Sequence, residues 1–307
     1  MIAFVFPGQG SQHAGMGKEL ADNFKVAKEV FEEANDALGF DLAALCFNGP
    51  EEDLKLTTNT QPSILTTSIA ALKVVEQETG LKPSFAAGHS LGEYSALVCA
   101  GALSFADAVR TVRQRGAFMQ EAVPVGVGAM AAVIGLEAEA LAVVCAEAAQ
   151  GEVVSPANFN SPGQVVIAGH ATAVERAIEL AKAKGAKRAL PLPVSAPFHC
   201  ALMVPAGERL QEVLAGITVN PMSMPVVSNV EALPNRDHER VKQLLVTQVS
   251  APVRWDASIE RMVADGVDQF IEIGPGKVLS GLVKRISKDA GAANVEDCAS
   301  LEKLLNS

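Results

Sequence analysis

The sequence is sparing in several things, and each scarcity removes a class of protein. Cysteine occurs five times, at positions 46, 99, 145, 200 and 298, and no two are spaced C-x-x-C. That spacing excludes a zinc ribbon and a thioredoxin-type redox motif. Five cysteines cannot all pair, and a 307-residue chain needs no disulfide staples, so a reducing cytoplasm is the expected compartment. Positive charge is in deficit: 25 Lys and Arg against 35 Asp and Glu leave a formal charge of −10. A nucleic-acid binder needs a basic footprint, which this balance does not supply. No apolar run reaches the roughly 18 residues of a membrane span. The opening Met1-Ile2-Ala3-Phe4-Val5-Phe6 has no basic flank and does not read as a secretory signal. There is no internal repeat and no low-complexity tract. What the chain has is core material: hydrophobic residues make up 49% and charged residues 20%, which suits a globular protein of one large or two smaller domains.

Hydrophobic periodicity and turn residues give an order of elements. Ile2 to Phe6 reads as a buried strand stopped by Pro7-Gly8-Gln9-Gly10. Helices are expected from Lys18 to Leu38 and from Ile64 to Glu78, the second with Pro62 near its start. A strand at Phe85–Gly88 and helices at Leu91–Ala100 and Phe105–Glu121 follow. Pro124 to Gly128 reads as a hinge. After it come strand Ala129–Ile134, helix Glu137–Ala149, strands Val153–Asn158 and Val165–Ala168 joined by the turn Asn160-Ser161-Pro162-Gly163, helix Thr172–Lys184 and strand Arg188–Pro193. That β-α-β-β-α-β order is the split βαβ of a ferredoxin-like unit, an α+β subdomain inserted at 125–197. The larger pattern occupies 1–124 and 198–307. It resumes with a helix at Ala201–Leu214, a strand at Val226–Val230, helices at Arg240–Gln248 and Trp255–Ala264, strand Phe270–Ile273 and one more helix. Strands alternating with helices imply an α/β fold whose mostly parallel sheet is covered on both faces.

One short stretch carries chemistry. Gly88-His89-Ser90-Leu91-Gly92 fits G-x-S-x-G between an expected strand and an expected helix, the setting of a nucleophile elbow. Glycines at both outer positions permit a turn sharp enough to lift the Ser90 hydroxyl above the sheet and to aim the Leu91 backbone N–H toward it. The plain alternative is an N-cap serine at an ordinary turn. A serine nucleophile needs a base, most often histidine. His13, His89, His170, His199 and His238 are available, and His199 leads because it follows Pro197-Phe198 on a loop where the insertion rejoins the sheet. Gly8-Gln9-Gly10 follows a strand but has His13 where a dinucleotide fingerprint needs glycine, so nicotinamide binding is not expected. That loop instead suits a backbone N–H donor to an oxyanion. Arg110, Arg113 and Arg115 share one helix; such arginines usually face solvent, but one turned inward would hold a carboxylate in a bidentate fork.

Pro7-Gly8-Gln9-Gly10-Ser11-Gln12, Gly88-His89-Ser90-Leu91-Gly92-Glu93, Arg115-Gly116-Ala117-Phe118-Met119-Gln120, Phe198-His199 and Gly274-Pro275-Gly276 together resemble the malonyl-CoA:acyl carrier protein transacylases of fatty acid synthesis. The resemblance runs from Met1 to about Ile286. It implies an α/β-hydrolase-like core with a ferredoxin-like insertion, in agreement with the order of elements. It implies Ser90 as nucleophile, His199 as general base and the Gln248 backbone carbonyl as the group that orients the histidine. The backbone N–H groups of Gln9 and Leu91 would form the oxyanion hole, and Arg115 would bind the malonyl carboxylate. Met119, Asn160 and Phe198 would lie near the acyl pocket or its mouth. Many relatives carry a small residue in place of Phe198, and the Phe-His form resembles the malonyl-selective subgroup. Malonyl-CoA would be a substrate, with no permanently bound cofactor and no metal.

The partner implied is an acyl carrier protein. Carrier proteins of this kind are strongly acidic, so docking onto a chain of charge −10 needs local basic patches. Lys182, Lys184, Lys187 and Arg188 form one cluster, and Lys284, Arg285 and Lys288 another. Two other functions fit parts of the pattern. A serine esterase or thioesterase would use the same elbow with an acid between Ser and His in chain order, where Asp107, Glu121 and Glu137 lie. A non-catalytic carrier-binding scaffold would not need Ser90 and His199.

Overall fold

A computed structural model describes residues 1–194 and 196–306. In chain order its strands are β1 (Ile2–Phe6), β2 (Phe85–Gly88), β3 (Gly128–Ile134), β4 (Val154–Ser161), β5 (Gln164–His170), β6 (Arg188–Pro191), β7 (Val226–Val227), β8 (Pro234–Asn235), β9 (Val253–Arg254), β10 (Gln269–Ile273) and β11 (Gly291–Val295). Six of them form a sheet in the order β11-β10-β1-β2-β7-β8, parallel up to the last pair, which is antiparallel. The centre of this sheet is β1, whose Ala3, Phe4, Val5 and Phe6 are fully buried. Successive side chains leave a strand on opposite faces. Phe4 and Phe6 pack with Leu20, Phe31 and Leu65 on one side, while Ala3 and Val5 meet Trp255, Ile259 and Val283 on the other. Helices therefore cover both faces, as a continuous apolar strand requires. The fold is α/β.

The remaining five strands make a second sheet in the order β6-β3-β5-β4-β9. Its first four are antiparallel neighbours, in the arrangement a split βαβ unit produces. Helices Ala138–Ala149 and Ala171–Ala183 pack on it through Leu141, Val144, Val174 and Ile178 in a separate apolar cluster. The fifth strand, β9, comes from outside 125–197 and pairs parallel with β4, so the chain that leads away from the large sheet also stitches the two sheets together.

Several elements differ from the reading of the sequence, each for a local reason. Lys18 to Leu38 is two helices, Lys18–Asn23 and Lys25–Leu38, with Phe24 extended between them at φ −126 and ψ 119. The Asn23 amide donates to the Glu19 carbonyl at 2.8 Å and competes with the backbone ladder there. The second expected helix starts seven residues early, at Thr57, and runs through Pro62 to Thr79. The turn ahead of Pro62 is held by packing. Gly116 of helix Phe105–Glu121 approaches it so closely that a Cβ there would lie 2.5 Å from the Thr57 carbonyl oxygen. This close crossing brings Gln61 beside Arg115. Asn160 and Ser161 belong to β4 rather than to the turn, which is Pro162-Gly163 alone. The expected strand Val226–Val230 is only two residues long, because Ser228 and Asn229 bond elsewhere. Gly291–Val295 has little strand propensity and becomes β11 through parallel pairing with β10. A C-terminal helix at Cys298–Leu305 follows, and helices Leu42–Asn48 and Glu51–Lys55 were likewise not expected.

Candidate active site

The site begins where β2 ends. Between Gly88 and the helix Gly92–Cys99 the chain turns so tightly that a Cβ on Gly88 would lie 1.9 Å from the Gly92 carbonyl carbon. A Cβ on Gly92 would lie 2.1 Å from the Phe6 carbonyl oxygen of β1. Ser90 at the apex has φ 50, a left-handed conformation that costs a non-glycine residue about 1–2 kcal/mol. Asn229, just past β7, holds the turn from both sides. Its Oδ1 accepts from the Ser90 N–H at 2.6 Å, and its Nδ2 donates to the Gly88 carbonyl at 2.7 Å.

His199 stands over the elbow, also at positive φ, 60°. Its Nε2 is 2.7 Å from Ser90 Oγ and its Nδ1 is 2.8 Å from the Gln248 main-chain oxygen. A carbonyl only accepts, so Nδ1 carries the proton and donates to it. Nε2 then offers its lone pair, and the Ser90 hydroxyl donates to it. His199 is 3% exposed. Burial, with the Arg115 charge adding to it, holds its pKa down at about 3, so the imidazole is neutral and able to accept a proton near pH 7.

Arg115 turns inward and is 1% exposed, whereas Arg110 is exposed against Asp107 and the Ala37 carbonyl, and Arg113 stacks 4.2 Å from the Phe40 ring centroid. Burial lowers the Arg115 pKa from its usual value, yet a guanidinium keeps its charge at neutral pH. Nη1 donates to Gln61 Oε1 at 2.9 Å, and Nη2 donates to Gln248 Oε1 at 2.9 Å and to Ser90 Oγ at 3.2 Å. The nucleophile is thus shared by a neutral base and a cation. Ser90, His199 and Arg115 line one cavity of about 110 Å³, with Gln9, Leu91, Met119 and Phe198 in its wall. Asn160 lies in the wall of an adjoining cleft of about 290 Å³, which also includes the Pro7-Gly8-Gln9-Gly10 loop, and its Oδ1 is 2.9 Å from His89 Nε2.

The geometry also tests the acids that a hydrolase triad would use. Asp107 pairs with Ser104 and Arg110, Glu121 pairs with Arg209, and Glu137 begins the helix Ala138–Ala149. The Nδ1 of His199 faces a neutral carbonyl instead.

The family model for the acyl transferase domain matches residues 3–305. The malonyl CoA-acyl carrier protein transacylase of Escherichia coli strain K12 is 58% identical over 285 residues, covering 93% of this chain and 92% of the relative. This chain belongs to the malonyl CoA-acyl carrier protein transacylase family. The Bacillus subtilis strain 168 member is 54% identical over 98% of this chain and 95% of its own. Among solved structures, an acyl carrier protein S-malonyltransferase from Vibrio cholerae superimposes with a TM-score of 0.97 at 54% identity, over 99% of both chains. A malonyl-transacylase solved in complex with its type II PKS acyl-carrier protein also gives 0.97, at 53% identity over 99% of both chains.

Within this transacylase fold, three residues that hold the site were not singled out for a role from the sequence. Asn229 braces the elbow, Glu93 accepts from the Gln248 side chain at 2.7 Å, and Gln61 steadies Arg115. None stands in a pattern of its own beside the residue it supports. Glu93 is the partial exception, because it ends the elbow block and is a buried acid in an apolar helix. Two of the other histidines have plain partners. His170 Nδ1 accepts from the Val153 N–H at 2.9 Å, and His13 contacts the Ser11 carbonyl at an exposed site. His238 lies in the short turn His238–Arg240. No helix is long and apolar enough to cross a membrane among the described residues.

Proposed function

We propose that this chain moves a malonyl group from malonyl-CoA to the phosphopantetheine thiol of an acyl carrier protein through a malonyl-Ser90 intermediate, supplying fatty acid elongation. The observation that carries the reading is the position of Ser90 Oγ, within 2.7 Å of His199 Nε2 and 3.2 Å of Arg115 Nη2. Ser90 attacks the thioester carbonyl while His199 takes its proton. The backbone N–H groups of Gln9 and Leu91 hold the oxyanion, and the Gln248 carbonyl keeps the imidazole oriented. His199 returns the proton to the departing coenzyme A thiol, and the steps then run in reverse from the carrier thiol. Arg115 receives the malonyl carboxylate, while Met119 and Phe198 bound the acyl group and Asn160 lines the mouth. In this reading no permanently bound cofactor takes part, the protein works in the cytoplasm, and residues 1–124 with 198–307 carry the chemistry while 125–197 close over it. Intact mass after brief exposure to malonyl-CoA, followed by peptide mapping, tests it: one malonyl group should appear, on the peptide holding Ser90, and leave when holo carrier protein is added. His199→Ala should slow adduct formation by about 10²–10⁴-fold, the usual contribution of a positioned base. A loss under tenfold would assign the base elsewhere.

For the carrier protein we assign docking to the two basic clusters. All four residues of the first are exposed, but Lys182 and Lys184 are paired with Glu179 and Glu147, which leaves Lys187 and Arg188 as the charges of that cluster with no ion pair among the described residues. In the second, Arg285 donates to Gln164 at 2.9 Å, and Gln164 lines the cleft beside the site. Reversing Lys187 and Arg188 to Glu should weaken transfer to carrier protein severalfold and leave acylation by malonyl-CoA intact, as measured in the two half-reactions separately. Equal loss in both, or no loss in either, would remove this patch from the docking surface.

A further inference from the structure

Among the described residues the reaction leaves two buried carboxyl groups unused: Glu272, which accepts from the Leu279 and Ser280 N–H groups, and Glu93. Glu93 sits in the first turn of the helix that follows the elbow and is 3% exposed. A carboxylate so buried has to be matched by charge or hydrogen bonds. Its Oε2 accepts from the Gln248 side-chain Nε2 at 2.7 Å and from the Asn229 N–H at 3.1 Å. At the far end of the same amide, Gln248 Oε1 accepts from Arg115 Nη2 at 2.9 Å. The amide therefore lies between carboxylate and guanidinium with its positive end toward the anion and its negative end toward the cation. The other described groups around Glu93 carry no charge. Leu97, Ser228, Asn235 and Leu244 line the small cavity beside it, and Tyr94 is a phenol whose ionisation burial pushes upward. Arg115 is the charge that acts on Glu93.

We propose that Glu93 is the resident counter-charge of Arg115, a positioning residue that orients the guanidinium through the Gln248 amide and competes with the malonyl carboxylate for it. This inference rests on the reading of Arg115 as the carboxylate receptor. The competition has a use. The acyl carboxylate is remote from the reacting carbonyl, so the guanidinium holds it equally in ground and transition states, and a counter-charge that loosens this hold raises KM without lowering kcat.

Glu93→Gln tests it, because the amide oxygen can accept both bonds that Oε2 accepts while the charge is gone. The KM for acylation by malonyl-CoA should fall about tenfold, the lower end of what one neighbouring charge does to another. Acylation by acetyl-CoA, which brings no carboxylate, should stay within about threefold on the same scale. In an Arg115→Ala background, Glu93→Gln should leave malonyl KM unmoved. Equal changes for both acyl groups would mean a purely structural role and overturn the proposal, as would an unchanged malonyl KM. If Arg115→Ala keeps the wild-type malonyl-to-acetyl ratio, the receptor reading itself fails. If that ratio collapses while Glu93→Gln changes nothing, only this inference fails.

The wild-type enzyme supplies a second measurement should the variant not fold. Burial pushes the Glu93 carboxyl up to about 7, so its charge builds as pH rises from 6 to 8. The substrate carboxylate is ionised throughout that range and His199 is neutral throughout it. The malonyl-to-acetyl preference should therefore decline severalfold between pH 6 and pH 8. A preference that stays flat across that range overturns the proposal.

Discussion

Ser90→Ala is expected to abolish acyl-enzyme formation while leaving the protein folded. The hydroxyl is the atom that forms the ester, so its loss removes the covalent route entirely rather than slowing it. Stability should fall by no more than about 1–3 kcal/mol, too little to unfold the chain. The side chain faces a cavity, and the left-handed backbone at φ 50 is no harder for alanine than for serine. Asn229 keeps its hold on the Ser90 N–H and the Gly88 carbonyl, because neither bond involves the side chain. What goes is the hydrogen bond to His199 and the one from Arg115, each contributing about 0.5–1.5 kcal/mol. Arg115 Nη2 retains Gln248 as its acceptor. Intact mass after exposure to malonyl-CoA, beside a thermal melt, checks both halves. A malonyl adduct formed at the wild-type rate would place the nucleophile elsewhere. Cys200 is a poor substitute, because burial pushes its thiol up to about 11 and its Sγ contacts the Pro197 carbonyl.

Arg115→Ala should collapse the preference for malonyl over acetyl groups. Both thioesters present the same carbonyl and differ by one carboxylate. In an apolar pocket that carboxylate would be costly to bury without a partner. The Arg115 Nε–H is buried and makes no hydrogen bond among the described residues, so it is a donor an incoming carboxylate can claim beside the Nη groups. A guanidinium that meets a carboxylate through two parallel donors binds it more strongly than a point charge does. Acetyl-CoA brings no carboxylate and forgoes this buried charge-assisted pair, a difference of roughly 2–5 kcal/mol. At about 1.4 kcal/mol per tenfold, the wild-type preference is expected to be about 30- to 4,000-fold, and the alanine variant should lose it. Lysine at this position should restore it only in part, since its ammonium cannot form the fork. Phe198, in the cavity wall, should add a steric bar against methylmalonyl groups that persists in the variant. Acyl-enzyme formation from malonyl-, acetyl- and methylmalonyl-CoA, in wild type and variant, checks the scheme. An unchanged malonyl-to-acetyl ratio would shift the role away from Arg115.

Much of this molecule could be read in one dimension because its signals are local. The apolar run Ile2–Phe6, the strand Phe85–Gly88 and the helix Phe105–Glu121 match their observed bounds, since each is marked by neighbouring turn or cap residues. The elbow is equally local: two glycines around one serine, between a strand and a helix. The insertion could be read as β-α-β-β-α-β because every step in it joins near neighbours in the chain. Elements that depend on distant partners could not be read this way. Gly291–Val295 is a strand only because β10 lies beside it, and the helix at Thr57 runs through Pro62 only because Gly116 lets another helix cover that turn.

Composition and spacing by themselves determined an acidic α/β chain with a serine elbow, a histidine candidate and three arginines on one helix. Spacing left open which arginine turns inward, because helix phase does not say which face the crossing helix will bury; the resemblance pointed to Arg115, and the tertiary structure buries it. It also decided that Asn229 braces the elbow and that Glu93 meets Gln248. Those hydrogen bonds span 141 and 155 positions of sequence, and a polar side chain has no periodic signature that announces a partner so far away. Only closure of the parallel sheet brings the ends of β2 and β7 together with helix Val241–Ser250, and the chemistry of the site comes from that meeting.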